Sequence, residues 1–248
     1  MSDLADSRQP LQFRPRMKSP LRPLLFVSAV VFAPLALVAQ TSPAAPATTV
    51  PALSPQQLNE GFRTGFNTIV TQALVPGAIK VSTPPLLANS GPILAKANKT
   101  EVLTDFNSAL SETVGKVVPK AVDLIKTALK DVKIEDAKIL LSGAPDAGTQ
   151  FLRKAVGASV REALLPLVKQ TTAATDLVAK AKTVLETMEP RGVKGGTRMI
   201  ADLEDYVCNQ VIAQSFKLIA QKEAAVRANP ALLTGNVLAQ KVFALYKK

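Results

Sequence analysis

The residues available for chemistry are few, because the chain has no histidine and a single cysteine, Cys208. Without imidazole there is no Ser-His-Asp or Cys-His arrangement, no imidazole metal ligand and no ordinary proton shuttle at neutral pH. Cys208 lies beside Val207 and Val211 in a predicted helical stripe, so we expect a core residue rather than a nucleophile. The sequence therefore favours a protein that is not an enzyme and leaves carboxylates as the candidates for acid–base chemistry.

Two carboxylates are placed where they could act together. Asp136 and Asp146 flank the turn at Gly143, and Thr149 follows one turn later. If the two carboxylates converged in a cleft, they could act as acid and base in a hydrolase or lyase. Both positions also suit helix capping, in which a side-chain oxygen accepts from the first free backbone N–H groups. We favour the capping interpretation and keep the acid pair as an alternative.

A second candidate is the glycine-rich basic segment at residues 191–198. Arg191, Lys194 and Arg198 surround Gly195 and Gly196, immediately before a predicted helix. Backbone N–H groups at a helix start can hold an anion, and glycines let it approach closely. The glycine-to-lysine spacing differs from that of a Walker loop. The segment is thus a candidate anion or lipid-headgroup site, and a flexible surface loop is the interpretation we favour.

Metal, cofactor and nucleic-acid sites are not expected. Asp202, Glu204 and Asp205 are clustered, but their spacing is not that of an EF-hand, and acids in a first helical turn complement the helix dipole. The formal net charge is +11. The lysines that recur between residues 116 and 138 nevertheless have no aromatic residue among them, so the stacking platforms typical of single-stranded nucleic-acid binding are missing among these basic residues. The charge favours solubility and weak attraction to anionic surfaces.

The elements that must position these residues are predicted to be helices. Hydrophobic residues make up 47% of the chain and aromatic residues 4%, a balance that suits closely packed helices. Ser54-Pro55-Gln56-Gln57 has the form of a helix start with a capping box. Apolar residues then recur at helical spacing at Leu58, Phe62, Phe66, Ile69 and Ala73.

The same period continues through the rest of the chain and predicts an all-α fold, an irregular bundle of about six to seven helices. Residues 77–92 contain two Pro-rich or Gly-Pro breaks and are expected to be irregular, with at most one short extended segment near Ile79–Val81. Further helices are predicted from about Thr104 with a kink or restart at Pro119, around Glu135–Leu141, after Asp146, at Leu177–Met188, from Asp202 to Asn229 and at Leu233–Val242.

The N-terminal segment has the pattern of a secretory signal peptide. Leu24–Ala39 is an apolar run behind basic residues, so residues 1–39 are predicted to be the leader, with Met17 as an alternative start. Residues 40–53 are rich in Pro, Ala and Thr and are typical of a linker, and 54–248 are predicted to form a single helical domain. The alternative is an uncleaved helical anchor, although the run is shorter than about 20 residues.

This leader predicts export by a Sec-type route and a periplasmic or secreted protein. No cysteine follows the apolar run, so no lipid anchor is expected.

The chain contains an ordered series of short motifs: Asp136-Ala137-Lys138-Ile139-Leu140, Gly143, Asp146-Ala147-Gly148-Thr149, Phe151, Pro166-Leu167-Val168, Leu203, Tyr206, Val207, Phe216, Ile219, Ala220, Glu223, Arg227, Pro230 and Val242-Phe243. Their order resembles a bacterial family catalogued as a domain of unknown function, DUF family 4197. The resemblance extends from Leu53 to the C-terminus and implies a mostly helical exported protein, with no established activity and no catalytic residues to transfer. Three features depart from the pattern: Gly148 stands where a second Ala is usual, the helix with Asn107 lacks the usual Ala-Ala-Glu, and the lipoprotein cysteine is missing.

Taken together, these patterns favour a non-catalytic envelope protein that binds a partner protein or an apolar ligand, such as a lipid, through grooves between its helices. The alternatives are a carboxylate-dependent hydrolase or lyase and an anion or lipid-headgroup binder at the 191–198 loop. The sequence leaves the ligand and the oligomeric state open.

Overall fold

The computed structural model describes residues 53–191 and 195–246, and over these ranges every regular element is helical. The predicted all-α bundle is therefore confirmed. The predicted signal peptide at 1–39, and the predicted linker up to residue 52, lie outside the described residues. No helix within the described ranges combines the length and the apolarity that crossing a membrane requires.

Nine α-helices follow one another in the described ranges, more than the six to seven expected. The bounds are α1 Pro55–Ala73, α2 Pro85–Ala88, α3 Gly91–Lys96, α4 Thr100–Asp131, α5 Ala137–Ser142, α6 Ala147–Ala174, α7 Leu177–Met188, α8 Gly196–Ala228 and α9 Val237–Ala244. Short 3₁₀ turns occupy Glu189–Arg191 and Pro230–Leu232.

The additional helices lie where prolines indicated irregular chain. α2 begins with Pro85 and α3 has Pro92 in its first turn. A proline costs no hydrogen bond there, because the first N–H groups of a helix have no intrahelical partner. Pro119 lies inside α4, which continues through it as one helix of 32 residues. Ile79–Val81 lies in non-helical chain and forms no strand.

The start of α1 has the predicted capping box. The Ser54 hydroxyl accepts from the Gln57 backbone N–H at 3.2 Å, and the Gln57 side chain accepts from the Ser54 N–H at 2.9 Å. The face that follows is buried, with Phe62, Phe66 and Ile69 each at most 1% exposed. The predicted capping box and the predicted burial of the apolar face of α1 are therefore both confirmed.

The helices pack around one hydrophobic core. α4 and α8 each lie against α6, α7 packs on α4, and α1 contacts α4, α8 and α9. Aliphatic side chains such as Val117, Leu164 and Val211 fill the centre and have no exposed surface.

The C-terminal helix α9 docks on α1 through two glycines. A Cβ atom at Gly65 would lie 2.7 Å from Phe243 Cε2 and 3.2 Å from Ala239 Cβ, and Gly61 is approached just as closely by Val242. The glycines thus form a notch on α1 that admits the side chains of α9. Phe243 also lies near Phe62, with ring centroids 6.2 Å apart. The terminal Val-Phe pair of the family-like pattern is therefore a packing element.

This packing gives a test that uses two helical glycines. Gly65→Ala is expected to lower the free energy of unfolding by about 1–2 kcal/mol, since the added methyl group overpacks the α1–α9 contact. Gly157→Ala in α6 meets only Arg153 Cγ at 3.8 Å, so it is expected to raise stability by about 0.5–1 kcal/mol through helix propensity. Urea unfolding of both variants measures the difference. If Gly65→Ala stabilised the protein as much as Gly157→Ala, the close packing of α9 against the α1 glycines would be contradicted.

Candidate functional site

The carboxylate of Glu223 lies on α8 and has no exposed surface. It accepts hydrogen bonds from the backbone N–H of Gly148 at 3.0 Å and from that of Thr149 at 2.7 Å. The Thr149 hydroxyl donates to it as well, at 2.6 Å. Gly148 and Thr149 are in the first turn of α6, so the carboxylate of a distant helix satisfies two N–H groups that α6 itself cannot pair.

Arg227 completes this cluster one helical turn further along α8. Its Nε and Nη2 atoms donate to Glu223 Oε1 at 3.0 and 2.6 Å. The same guanidinium donates to the backbone carbonyls of Leu140 and Leu141, in the last turn of α5. The ion pair thus joins the end of α5 to the start of α6, with the cation at carbonyl groups and the anion at N–H groups. We call Gly148, Thr149, Glu223 and Arg227 the buried polar cluster.

Burial raises the pKa of the Glu223 carboxyl, and the hydrogen bond from Thr149 and the charge of Arg227 partly offset this effect. None of the four cluster residues lines the larger surface groove described below. Their hydrogen bonds hold the end of α5 and the start of α6 against α8.

Gly148 has a steric role in the same cluster. A Cβ atom there would lie 2.5 Å from Phe66 Cζ and 2.9 Å from Glu223 Oε1. The glycine thus lets the Phe66 ring and the carboxylate both reach the start of α6. This close approach explains why the present chain has no side chain where the family-like pattern has alanine.

The predicted acid pair takes part in local hydrogen bonds. Asp136 is the N-cap of α5, and its Oδ1 atom accepts from the Lys138 backbone N–H at 2.8 Å. Asp146 stands at the N-cap position of α6 but makes no capping bond, and its Oδ1 accepts from the Gln150 side chain at 2.9 Å. Glu223 has taken the capping role that the sequence assigned to Asp146. Acid–base chemistry by this pair stays a prediction.

The basic segment is described only in part. Lys194 and the Arg191 side chain lie outside the described residues. Gly195 is the N-cap of α8 with a φ of +93°, a left-handed conformation that glycine adopts without strain. Gly196 begins α8 and is close to the α7 residue Leu185. Arg198 is exposed and lies 3.6 Å from the Asp202 carboxylate. Anion binding by this segment stays a prediction.

A large groove lies elsewhere on the surface, with a volume of about 930 Å³. Its walls are the end of α1 from Thr71, the non-helical residues 75–83 and one face of α4 from Asn107 to Asp123. Gly115 is exposed in this face, and a Cβ atom there would meet nothing within 4 Å. Most of the lining is apolar, and its buried side chains are Leu74, Ile79, Leu110, Val114 and Val118.

Two contacts fix the direction of the groove. The Arg63 guanidinium of α1 donates to carbonyls at the end of α4, including Lys130 at 2.7 Å and Val132 at 2.8 Å. At the other end, the Thr83 hydroxyl donates to Asn107 Oδ1 at 2.7 Å. The chain from α1 to residue 83 therefore runs antiparallel to α4. The end of α1 faces the Asp123 end, and Thr83 lies at the Asn107 end.

Neither the buried polar cluster nor the groove was predicted from the sequence. Glu223 and Arg227 were noted only as parts of a motif, and their spacing of four residues was the signal for an ion pair on one helix face. The groove depends on residues 75–83, where alternating Ile79, Lys80 and Val81 indicated an extended piece without showing what it would pack against.

The comparisons with known proteins come to one match. The model of a family described as "Protein of unknown function (DUF4197)" matches residues 55–244. This range runs from α1 to the last residue of α9. Neither a curated protein nor a solved structure shows significant similarity to the chain.

The buried polar cluster gives a test by charge removal. Glu223→Gln keeps the shape but leaves the Arg227 guanidinium as an uncompensated buried cation, so we expect a loss of about 3–5 kcal/mol in unfolding free energy. The matched control is Glu112→Gln, which breaks an exposed pair with Lys116 and is expected to lower the unfolding free energy far less, because solvent screens an exposed ion pair. Chemical denaturation followed by circular dichroism measures both. Similar losses in the two variants would argue against the cluster as a structural centre.

Proposed function

We propose a binding function for this chain, which belongs to the DUF4197 family of proteins of unknown function. The chain holds a ligand with an elongated apolar part in the groove between α1, residues 75–83 and α4. The observation that carries this proposal is the groove itself, whose volume of about 930 Å³ lies in the range of about 300–1,000 Å³ that small-molecule sites occupy.

The dimensions of the groove favour one extended apolar chain. It follows α4 from Asn107 to Asp123, which corresponds to about 24 Å at the helical rise of 1.5 Å per residue. An acyl chain that crosses one leaflet covers half of a hydrocarbon core about 30 Å thick, or about 15 Å. A single acyl chain with its headgroup therefore fits along the groove, and its apolar surface would be removed from water.

The side chains near the groove support binding rather than catalysis. The charged residues that line it are Lys80 and Asp123, and the chain has no histidine to act between them. Cys208 is fully buried in α8, and burial raises the pKa of its thiol, which disfavours the reactive thiolate. The acid-pair hydrolase or lyase and the 191–198 headgroup site remain the alternative hypotheses.

The proposal includes export. The predicted leader at 1–39 would carry the helical domain to the periplasm or the medium, and a groove that covers an acyl chain would let a lipid cross the aqueous space there. This location rests on the basic and apolar pattern of the leader alone.

Filling the groove tests the binding proposal. Gly115→Leu places a side chain in open space on the groove face of α4, and we expect it to weaken binding of an uncharged fluorescent monoacylglycerol at least about tenfold, or about 1.4 kcal/mol. Gly157→Leu is the matched control, because it changes a helical glycine in α6 that does not line the groove. Fluorescence titration gives both affinities. The proposal is wrong if the wild-type protein does not bind the probe or if both variants bind it equally.

Export is tested on the full chain in a bacterial host. We expect the mature protein in the envelope or medium, with an intact mass that lacks the leader up to about residue 39. A Val31→Arg variant should retain the leader and stay in the cytoplasm, since a charge interrupts the apolar run. Cytoplasmic wild-type protein that retains residues 17–39 would contradict this proposal.

A further inference from the structure

The groove has two ends of different chemistry, and we infer that its ligand is an anionic single-chain amphiphile. The apolar chain lies along α4, and a carboxylate or phosphate headgroup lies at the end near Asn107 and Thr83. This inference rests on the proposed binding function and adds the class of ligand to it.

The Asn107 end has side-chain donors that lack a hydrogen-bond partner within the described ranges. Asn107 Oδ1 is occupied by the Thr83 hydroxyl, whereas the Asn107 side-chain N–H₂ group donates no hydrogen bond within the described ranges. Ser111, one turn along the same face of α4, also lacks a hydrogen-bond partner for its hydroxyl there, and it is exposed to the groove. An oxygen-rich anion would accept from both groups.

The backbone of residues 79–83 offers further donors beside the groove. The N–H groups of these residues donate no hydrogen bond to any described part of the chain. By contrast, the carbonyl of Ser82 accepts from the Tyr206 hydroxyl at 2.9 Å. That bond uses an acceptor on this wall and holds the segment against α8.

The two charged residues that line the groove, Lys80 and Asp123, lie apart from each other along it. Lys80 and Ser82 are both exposed and both line the groove. Asp123 lines the opposite end, sixteen residues from Asn107 on α4. Glu112 lies near the Asn107 end along the helix, but it does not line the groove and is paired with Lys116 at 2.6 Å. An anionic headgroup is thus attracted to the Lys80 side and kept from the Asp123 end.

Competition against the uncharged monoacylglycerol probe tests this assignment in the wild-type protein. The competitors have equal chain length and carry a carboxylate, a phosphate monoester or a quaternary ammonium group. We expect either or both anionic amphiphiles to bind at least about fivefold more tightly than the cationic one, by charge-assisted hydrogen bonds. Preference for the carboxylate indicates a fatty acid, and preference for the phosphate indicates a lysophospholipid.

Three variants locate the headgroup. Lys80→Gln is expected to weaken the anionic competitors about threefold to fivefold and to leave the uncharged probe unchanged. Asn107→Asp keeps the acceptor for Thr83 but adds a negative charge, so it should weaken the anionic competitors about tenfold and favour the cationic one. The control is Lys217→Gln, which removes an exposed cation of α8 outside the groove and should change neither.

The outcomes separate the two claims. The binding function stands if the uncharged probe binds the wild-type protein and Gly115→Leu blocks that binding. In that case the headgroup inference is still wrong if the three competitors bind equally well. It is also wrong if Lys80→Gln weakens the anionic competitors no more than Lys217→Gln does. If the probe does not bind, or Gly115→Leu leaves it bound, the binding function fails and the inference fails with it.

Discussion

The ion pair between Glu223 and Arg227 is the constraint on which the rest of the fold depends. Two charges without contact with water are tolerated only when their hydrogen-bonding capacity is met by other groups. Here that requirement fixes the start of α6 and the end of α5 against α8, through Gly148, Thr149 and the Leu140 and Leu141 carbonyls. The aliphatic core can then be packed in one arrangement of helices.

Several residues of the family-like pattern belong to this cluster or to the α1–α9 contact, where they cap and pack helices. Gly148 accommodates the Phe66 ring, and Phe243 packs on the same aromatic group of α1. The groove, in contrast, is lined by ordinary aliphatic side chains and a segment with little regular structure. The groove proposed as a binding site is lined by other residues, and Tyr206 of the pattern holds its wall by donating to the Ser82 carbonyl.

Local physics explains how much of this could be predicted. The all-α class and the start of α1 follow from the apolar period and from Ser54 with Gln57, interactions between near neighbours in sequence. The short helices α2 and α3 were missed because a proline breaks a helix interior but suits a helix start. Two contacts could not be predicted from the sequence, because each joins residues far apart in the chain. They are the capping of α6 by Glu223 and the packing of residues 75–83 against α4. Of the candidate residues, Asp136 was predicted correctly as a helix cap, whereas none of the residues that line the groove was predicted as part of a site.

The central claim is that a rigid helical scaffold carries one amphiphile in the groove along α4. Native mass spectrometry of the protein isolated without detergent from the cells that make it tests this most directly. We expect a mass increase of one anionic single-chain amphiphile per chain, absent from Gly115→Leu and present in Gly157→Leu. A wild-type protein that carries no lipid, or one whose bound lipid persists in Gly115→Leu, would contradict the account.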